Sequence, residues 1–347
     1  MNPAALIPVA EPLPIHWVWF DILLIVTLTA HLLFMNALVG SAAIGLIQSV
    51  RGKRDVLRQV GMKLPPLLAL TINMGVAPLL FLQVNYGNFD YVSSVLMGGW
   101  WFAIVAVLLA SYYGFYYCKF QYDSTAPGLR TLLFAASLAG CLYVGFMFTN
   151  NMTLMLHPEY WPEYFTAKGG FLNFADATLV SRYLHAMVGA LALGGLFIAL
   201  LGQARDNREF VDLGMTWFTR ATLANLAVGI WFLFAQPSAI LKAFMGGNVP
   251  ATATLVASLA AMAVMLLAGF KKQPKQAAVW GTITMFLMVC NRHWLRTLSL
   301  EPWFDISTTP VTNQYGSFFL FLGFLVVGLA AIGYMLKLYF TARGRGV

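Results

Sequence analysis

The chain has 347 residues, of which 60% are hydrophobic and only 10% are charged. Soluble domains carry about 25% charged residues, so this composition excludes an ordinary soluble protein and predicts an all-α, polytopic membrane protein. A transmembrane β-barrel is excluded because the apolar residues form continuous blocks rather than short alternating segments.

The segment before the first apolar block, MNPAALIPVAEPLPIH, contains no Lys or Arg. A secretory signal peptide begins with a basic region. We therefore expect no cleaved signal here, and we expect the first apolar block to be retained as a membrane span.

The apolar blocks predict nine membrane-spanning helices in a single integral membrane domain that covers residues 1–347. Each block comes close to, or exceeds, the roughly 20 residues that a helix needs to cross a bilayer. Prolines, glycines and charged clusters separate the blocks. The predicted spans cover residues 17–48, 64–86, 93–118, 129–151, 178–202, 215–236, 251–270, 277–297 and 315–340.

The basic residues alternate between the two sides of these nine spans. Of the 21 Lys and Arg residues, 16 fall on one side and five on the other; the five are Lys168, Arg182, Lys242, Arg292 and Arg296. Basic loops stay in the cytoplasm, so the N-terminus is predicted to be outside and the C-terminus cytoplasmic. The net charge of +8 is thus a topology signal, and we predict no nucleic-acid partner.

The longest external connection is predicted to run from about residue 151 to residue 177. It is rich in Trp, Tyr, Phe and Pro. Aromatic residues at this density favour a segment that lies at the membrane interface, and connections of this length are often functional.

Three histidines fall within predicted spans: His31 near the middle of the first, His185 near the external end of the fifth, and His293 near the external end of the eighth. Titratable groups are costly inside a membrane, so each is a functional candidate. Imidazole is an ordinary axial ligand of haem iron, but it also serves as a hydrogen-bonded core residue. The small residues around His185, from Ala186 to Gly195, suit either a flat macrocycle or close helix packing.

Three arginines lie at the same external boundary as His185 and His293. Arg292 and Arg296 are four residues apart and share a helical face, and Arg182 is at the start of the fifth span. Guanidinium groups suit haem propionates or the head group of a quinone. The alternative is that these side chains extend to lipid phosphates.

Four stretches of the chain resemble, in the same order, stretches of subunit I of the cytochrome bd quinol oxidases. They are TAHLLFMNALVG, TINMGVAPLLFLQVNYGNFDYVSS, LVSRYLHAMVGALALGG and LEPWF. The second is the most specific, because it continues through a span into its predicted external turn. The resemblance covers nearly the whole chain and implies that family's helical bundles, its external N-terminus and a location in the bacterial inner (cytoplasmic) membrane.

The resemblance also implies roles for two histidines. His31 matches the first-helix histidine that ligates a haem of the oxygen-reducing pair. His185 matches a ligand of the low-spin haem b that receives electrons from quinol. Residues 301–303, Glu-Pro-Trp, resemble a degraded form of the family's Gly-Arg-Gln-Pro-Trp motif.

The chain departs from that family at its oxygen-reducing site. The family carries glutamates in its third helix, but this chain has no Asp or Glu between Asp90 and Asp123. A haem-ligating glutamate of the family aligns with Thr297. His293 lies one turn earlier, where the family usually has Trp, and we treat it as a hypothetical substitute ligand.

The chain also departs from the family around its low-spin haem and quinol site. The methionine partner of that haem is expected in the outer half of the seventh span, which contains none, so Met245 and Met262 are displaced candidates. The long quinol-binding loop after the sixth span is reduced to about residues 236–250.

These features predict a bd-like, quinone-reactive membrane subunit of a respiratory electron-transfer complex. Haem b would relay electrons between the quinone pool and a periplasmic multihaem c-type cytochrome or another redox partner, as in a quinol:cytochrome c-type oxidoreductase. The family works with a second membrane subunit, so we expect one here. We do not expect a competent oxygen reductase, since proton delivery in membranes usually uses acids or histidines.

Other functions remain open at this point. One is a haem-free membrane anchor that binds quinone, and another is a divergent terminal quinol oxidase with rearranged ligands. A transporter is less favoured, because neither discontinuous helices nor an inverted repeat is evident in the sequence.

Overall fold

A computed structural model describes residues 2–167 and 170–344, and over these residues the chain is helical apart from turns and one isolated bridge between Leu13 and Val311. The α-helices are α1 (Trp17–Val50), α2 (Arg54–Gly61), α3 (Leu64–Met97), α4 (Gly99–Phe120), α5 (Pro127–Leu156), α6 (Leu179–Gln203), α7 (Arg208–Phe234), α8 (Ser238–Lys242), α9 (Val249–Phe270), α10 (Pro274–Leu300) and α11 (Tyr315–Gly344). Short 3-10 helices cover Pro3–Leu6, Pro158–Phe165 and Ile306–Thr308, and a π-helical turn covers Ala243–Gly247.

Among the described residues, eight helices are long and apolar enough to cross a membrane, which confirms an all-α, multi-pass membrane protein. They are α1, α3, α4, α5, α6, α7, α9 and α11. The remaining predicted span, residues 277–297, lies within α10, which is not among the eight. Its last third carries Arg292, His293 and Arg296, which make α10 more polar than its neighbours.

The predicted external turn between the second and third spans is wrong. Helix α3 is kinked at Tyr86, whose φ of −135° is not helical, but it resumes through residues 87–92 and ends at Met97. The chain turns instead at Gly98, whose φ of 53° is disfavoured for other residues. Several of the polar side chains that resemble a turn in the sequence are buried inside the bundle. Asp90, for example, is 1% exposed and accepts a hydrogen bond of 3.1 Å from Gln83 Nε2.

The long helices other than α11 form two four-helix units with the same order of helices. In the first unit α1 packs on α3 and α4 packs on α5; in the second unit α6 packs on α7 and α9 packs on α10. The units meet along α1 and α6. Matching positions are 154 residues apart in the sequence (31 and 185, 40 and 194, 75 and 229), and each of these pairs is identical: two histidines, then two pairs of glycines.

The contact between α1 and α6 is a close backbone approach at glycines. A side chain at Gly40 would collide with the backbone carbonyl of Ala190, and one at Gly194 would collide with the backbone of Gly40. On the adjacent face, a Cβ at Gly195 would lie 2.7 Å from the backbone oxygen of Gly214 in α7. These small residues of α6 therefore serve close helix packing, which was one of the two interpretations of the sequence.

Three segments cover the end of the bundle at which α1 begins, and we call this the capped end. They are residues 2–16, the described part of 157–178, and residues 301–314. Trp161 is fully buried there and donates a hydrogen bond of 2.8 Å from Nε1 to the backbone oxygen of Leu154. The predicted interfacial connection thus packs over the helix ends.

The opposite end, which we call the basic end, is formed by residues 51–63, 121–126, 204–207 and 271–273. Exposed ion pairs tie its connections together, including Lys53–Glu209 at 3.0 Å and Lys272–Asp212 at 2.7 Å. Two basic residues of the topology count, Lys168 and Arg345, lie outside the described residues.

Helix α11 stands apart from both four-helix units. None of its most apolar 18-residue window is buried. Near its start, Phe318 packs on Trp19 of α1 with ring centroids 5.3 Å apart. The rest of α11 presents apolar side chains around its circumference, as a helix facing lipid or another membrane protein does.

The substitution Gly40→Ala is expected to lower the free energy of unfolding by about 1–3 kcal/mol, because the added methyl group has no space between α1 and α6. The matched control is Gly323→Ala in α11, where a Cβ would meet open space. Unfolding of both variants in mild detergent measures the difference. Equal stability of the two variants would contradict the close approach.

Candidate functional site

Helix α6 holds Arg182 and His185 one turn apart on a face that packs against α7. The ring of His185 lies against Gly229, where a Cβ would be 2.9 Å from Cε1, and it stacks near Phe232 with an interplanar angle of 18°. Nδ1 of His185 is buried without a hydrogen-bond partner, although the backbone oxygen of Asn225 approaches it. A buried polar atom of this kind is costly unless another group satisfies it.

Arg182 and Arg292 form a pair of guanidinium groups in the same part of the second unit. Arg182 lies over the ring of Phe232 at 4.9 Å, which holds it against α7. Its hydrogen bond to Thr178 Oγ1 is long, at 3.5 Å. Within the described part of the chain neither arginine has a carboxylate within 4 Å, and the Nε atoms of both are buried and unpaired.

The charges of Arg182 and Arg292 are close enough to repel each other. Among the described residues neither cation is paired directly with a carboxylate, although the charge of Asp176 acts on Arg182 from beyond Thr178, and partly buried cations without a direct partner are unfavourable. Guanidinium groups bind carboxylates and phosphates through charge-assisted hydrogen bonds. The arrangement is therefore suited to an anionic group held between α6 and α10.

Arg296 is different, because a buried carboxylate lies beside it. Asp21 of α1 is 4% exposed, and its Oδ1 lies 3.4 Å from Arg296 Nη2. The Arg296 guanidinium also lies over the ring of Tyr86 at 4.6 Å. The signal that could have revealed Asp21 is its context, WVWFDILL, in which apolar residues flank one acid within a span.

His293 belongs to this same group. Its Nδ1 lies 3.3 Å from Arg296 Nη2 and 3.7 Å from Asp21 Oδ2. Thr297, which aligns with the family's haem-ligating glutamate, donates a hydrogen bond of 3.1 Å to the backbone oxygen of His293. The contacts of His293 are thus those of an ion network, and its role as a substitute ligand stays a prediction.

His31 occupies the equivalent position to His185 in the first unit. Its Nδ1 lies 3.0 Å from the backbone oxygen of Thr71. The oxygen can only accept, so Nδ1 carries the proton and Nε2 carries the lone pair, which is the tautomer that a metal ligand needs. A Cβ at Gly75 would lie 2.8 Å from Cε1 of His31. Gly75 therefore lies against the ring of His31 in the same way as Gly229 lies against the ring of His185.

The two methionine candidates lie away from His185. Met245 is in the π-helical turn after α8 and is 55% exposed. Met262 of α9 packs against the cluster that contains Ala192 and Leu196, two to three turns further along α6. Residues 236–250, the shortened connection, form α8 and this turn.

The residues of the second unit fit haem b in their chemistry. They offer an imidazole for iron and two guanidinium groups for propionates. Asn225 of α7 and Asn291 of α10 also have buried side-chain oxygens without a hydrogen-bond partner. Gly189 does not supply free space, because the side-chain amide of Asn225 lies against it, 3.1 Å from where a Cβ would be.

An apolar groove of about 440 Å³ separates α1 from α10 on the outside of the bundle. The atoms that line the groove are apolar. On α1 they belong to residues around Ala30, which precedes His31 in the sequence, and on α10 they include atoms of Ile283 and Phe286. Such a surface suits an apolar molecule from the membrane.

None of the protein families compared with the chain matches it, and no curated protein matches it either. The fold and the residues described above therefore define it as a multi-pass α-helical membrane protein with a polar, cation-rich interior at its capped end.

The Asp21–Arg296 pair predicts non-additive stability. Asp21→Asn and Arg296→Gln are each expected to cost about 3–5 kcal/mol, because each leaves one buried charge unpaired. The double variant should cost clearly less than the sum of the two. Unfolding in detergent measures all three, with exposed Asp305→Asn as the control, and additive losses would contradict the pairing.

Proposed function

We propose that this protein is a quinone-reactive membrane subunit of a respiratory electron-transfer complex, with haem b ligated by His185. The observation that carries the proposal is the second four-helix unit. There a buried imidazole, that of His185, lies one turn from Arg182, which together with Arg292 forms a pair of guanidinium groups that have no carboxylate within 4 Å in the described part of the chain. The ordered resemblance to cytochrome bd subunit I supports the same assignment.

Five residues of the second unit have a defined task in this proposal. Gly229 and Phe232 fix the plane of the His185 ring, and His185 ligates the iron. Arg182 and Arg292 bind the propionates and balance their charge. Haem b, when bound, supplies a one-electron carrier between quinol and the redox partner.

The first unit offers a second ligand candidate in His31. Its Nδ1–H is anchored by Thr71, which leaves Nε2 for a metal. The position that matches Arg182 in the first unit is Leu28. A group held by His31 would therefore lack a counterpart of Arg182, although the charge of Arg292 acts on His31 as well.

The proposed topology has nine spans, with α10 as the eighth, in the bacterial inner membrane. Helix α10 packs along α9 and places Arg296 against Asp21, which lowers the cost of its charges in a bilayer. The capped end would face outwards, since most Lys and Arg residues lie towards the basic end.

Two protein partners follow from this arrangement. The exposed circumference of α11 suits a second membrane subunit as well as lipid. The exposed acids of the capped end, such as Glu11, Glu163 and Glu301, suit a periplasmic multihaem c-type cytochrome or another redox partner with a basic surface.

A haem-free anchor that binds quinone is the second candidate function. The observation that favours it is the use of Ala190, Gly194 and Gly195 for helix packing rather than for space around His185. The apolar groove between α1 and α10 would then be the quinone site. Oxygen reduction is not proposed, because no acid lies between Asp90 and Asp123.

The pyridine haemochrome spectrum of purified protein separates these functions. Protein expressed with sufficient haem should contain haem b, and added quinol should reduce it. His185→Ala should remove one haem b, or convert it to a high-spin form, and the matched control His16→Ala at the exposed helix cap should not. Absence of haem b from the wild type would leave the anchor as the function.

The same spectra test the other candidate ligands. His31→Ala is expected to affect a different haem from His185→Ala if a second haem is present. His293→Gln tests the substitute-ligand hypothesis, and full haem content in that variant would refute it.

The arginine pair predicts a change in redox potential. Arg292→Gln removes a nearby positive charge that favours the reduced, less positive state of haem, so the midpoint potential of the haem should fall. Redox titration of the wild type and the variant measures the shift. Lys242→Gln, which changes an exposed cation at the same end, is the control, and an equal shift in both variants would contradict the assignment.

A further inference from the structure

A chain of polar side chains leads from Arg182 to the surface of the capped end. The first carboxylate of this chain is that of Asp176. Its Oδ1 accepts two hydrogen bonds of 2.6 Å, one from the backbone N–H and one from the hydroxyl of Thr178. The same Thr178 hydroxyl lies 3.5 Å from Arg182 Nη2. Asp176 is therefore connected to the buried guanidinium through a single hydroxyl group.

The second oxygen of Asp176 faces a histidine. Oδ2 is buried and has no hydrogen bond of good geometry, and it lies 3.5 Å from Nε2 of His157. The other ring nitrogen of His157, Nδ1, lies 2.8 Å from Oε1 of Glu159. One imidazole thus bridges a buried carboxylate and a carboxylate at the surface.

Exposure rises in steps along this chain. The side chain of Asp176 is 3% exposed, that of His157 is 13% exposed, and that of Glu159 is 44% exposed. His157 ends α5, and Glu159 follows in the 3-10 helix of the cap. The chain therefore crosses the cap from the bundle interior to water.

We propose that Asp176, His157 and Glu159 form a proton relay between the Arg182 site and the external surface. A neutral imidazole can accept a proton on one nitrogen and release one from the other. A purely structural clamp would account for the His157–Glu159 contact. Such a clamp would not account for Oδ2 of Asp176, which is buried without a hydrogen bond. In the relay, this oxygen is the atom that would carry the proton.

The relay rests on the proposed function, because quinol oxidation produces protons that must leave the protein. One quinol becomes one quinone and releases two protons and two electrons. The electrons reduce two equivalents of a one-electron acceptor, the c-type cytochrome partner. Each proton would pass through the Thr178 hydroxyl to Asp176, then to His157 and Glu159, and from there to water.

The charges around the relay favour this direction. His157 faces Glu159, Asp176 and the ring of Tyr160 at 5.7 Å, and Asp176 also faces the charge of Arg182. Partial burial raises the pKa of Glu159, but the hydrogen bond with His157, a backbone hydrogen bond and the charge of His157 together outweigh burial and hold the pKa below its usual value. Glu159 is therefore ionised at neutral pH and gives up an arriving proton to water.

The test uses the purified full-length protein and stopped-flow mixing with a quinol, with haem reduction and proton release followed together. His157→Ala and Asp176→Asn should slow both signals by at least about tenfold near neutral pH. Added imidazole should restore the rate of His157→Ala. The controls are His16→Ala and Glu163→Gln, which lie at the same end but outside the relay.

A structural role gives different results. If His157→Ala loses thermal stability and imidazole does not restore its rate, or if both variants reduce at the wild-type rate at every pH, the relay is overturned while the proposed function stands. A wild type that quinol does not reduce overturns the proposed function itself. Should Asp176→Asn fail to fold, Glu159→Gln at the exposed end must still slow proton release, and an unchanged rate there counts against the relay.

Discussion

The close approach of α1 and α6 is the constraint on which the rest of the structure depends. Only glycine allows the two backbones to meet at Gly40 and Gly194, and this contact joins the two four-helix units. His31 and His185 each precede their glycine by the same number of residues. Since a helix rises 1.5 Å per residue, both imidazoles lie about 13 Å from the contact, at one depth.

The electrostatics of the interior separate the two units. Asp21 neutralises Arg296 across the contact between α1 and α10. Arg182 and Arg292 of the second unit have no carboxylate within 4 Å among the residues that the structure describes, and the first-unit position that matches Arg182 holds Leu28. The two histidines therefore share a backbone setting, but the arginine one turn before His185 has no counterpart before His31, and for this reason we propose the second unit as the site of an anionic cofactor.

Composition was enough to predict the fold class, because apolar blocks of this length have few other uses. The turn after the second span could not be predicted, since Asp90 and its neighbours resemble a loop until their partners inside the bundle are known. The small residues of α6 were ambiguous for a similar reason: their use depends on what packs against them. Asp21 was missed because its partner, Arg296, lies at the other end of the chain.

The repeat was present in the sequence and was overlooked. HLLFMNALVG and HAMVGALALG share a histidine and a glycine at the same spacing, but little else links the two units, so the structure was needed to pair them. The cap was also beyond sequence reasoning, because the contacts of His157 with Glu159 and Asp176 depend on how the external segment folds back.

The most direct test of this account is an experimental structure of the purified wild-type protein, at a resolution that shows side chains in the second unit. The account predicts density for a macrocycle with its iron on His185 and its propionates on Arg182 and Arg292. Continuous protein packing around His185, with both arginines directed to lipid, would contradict it.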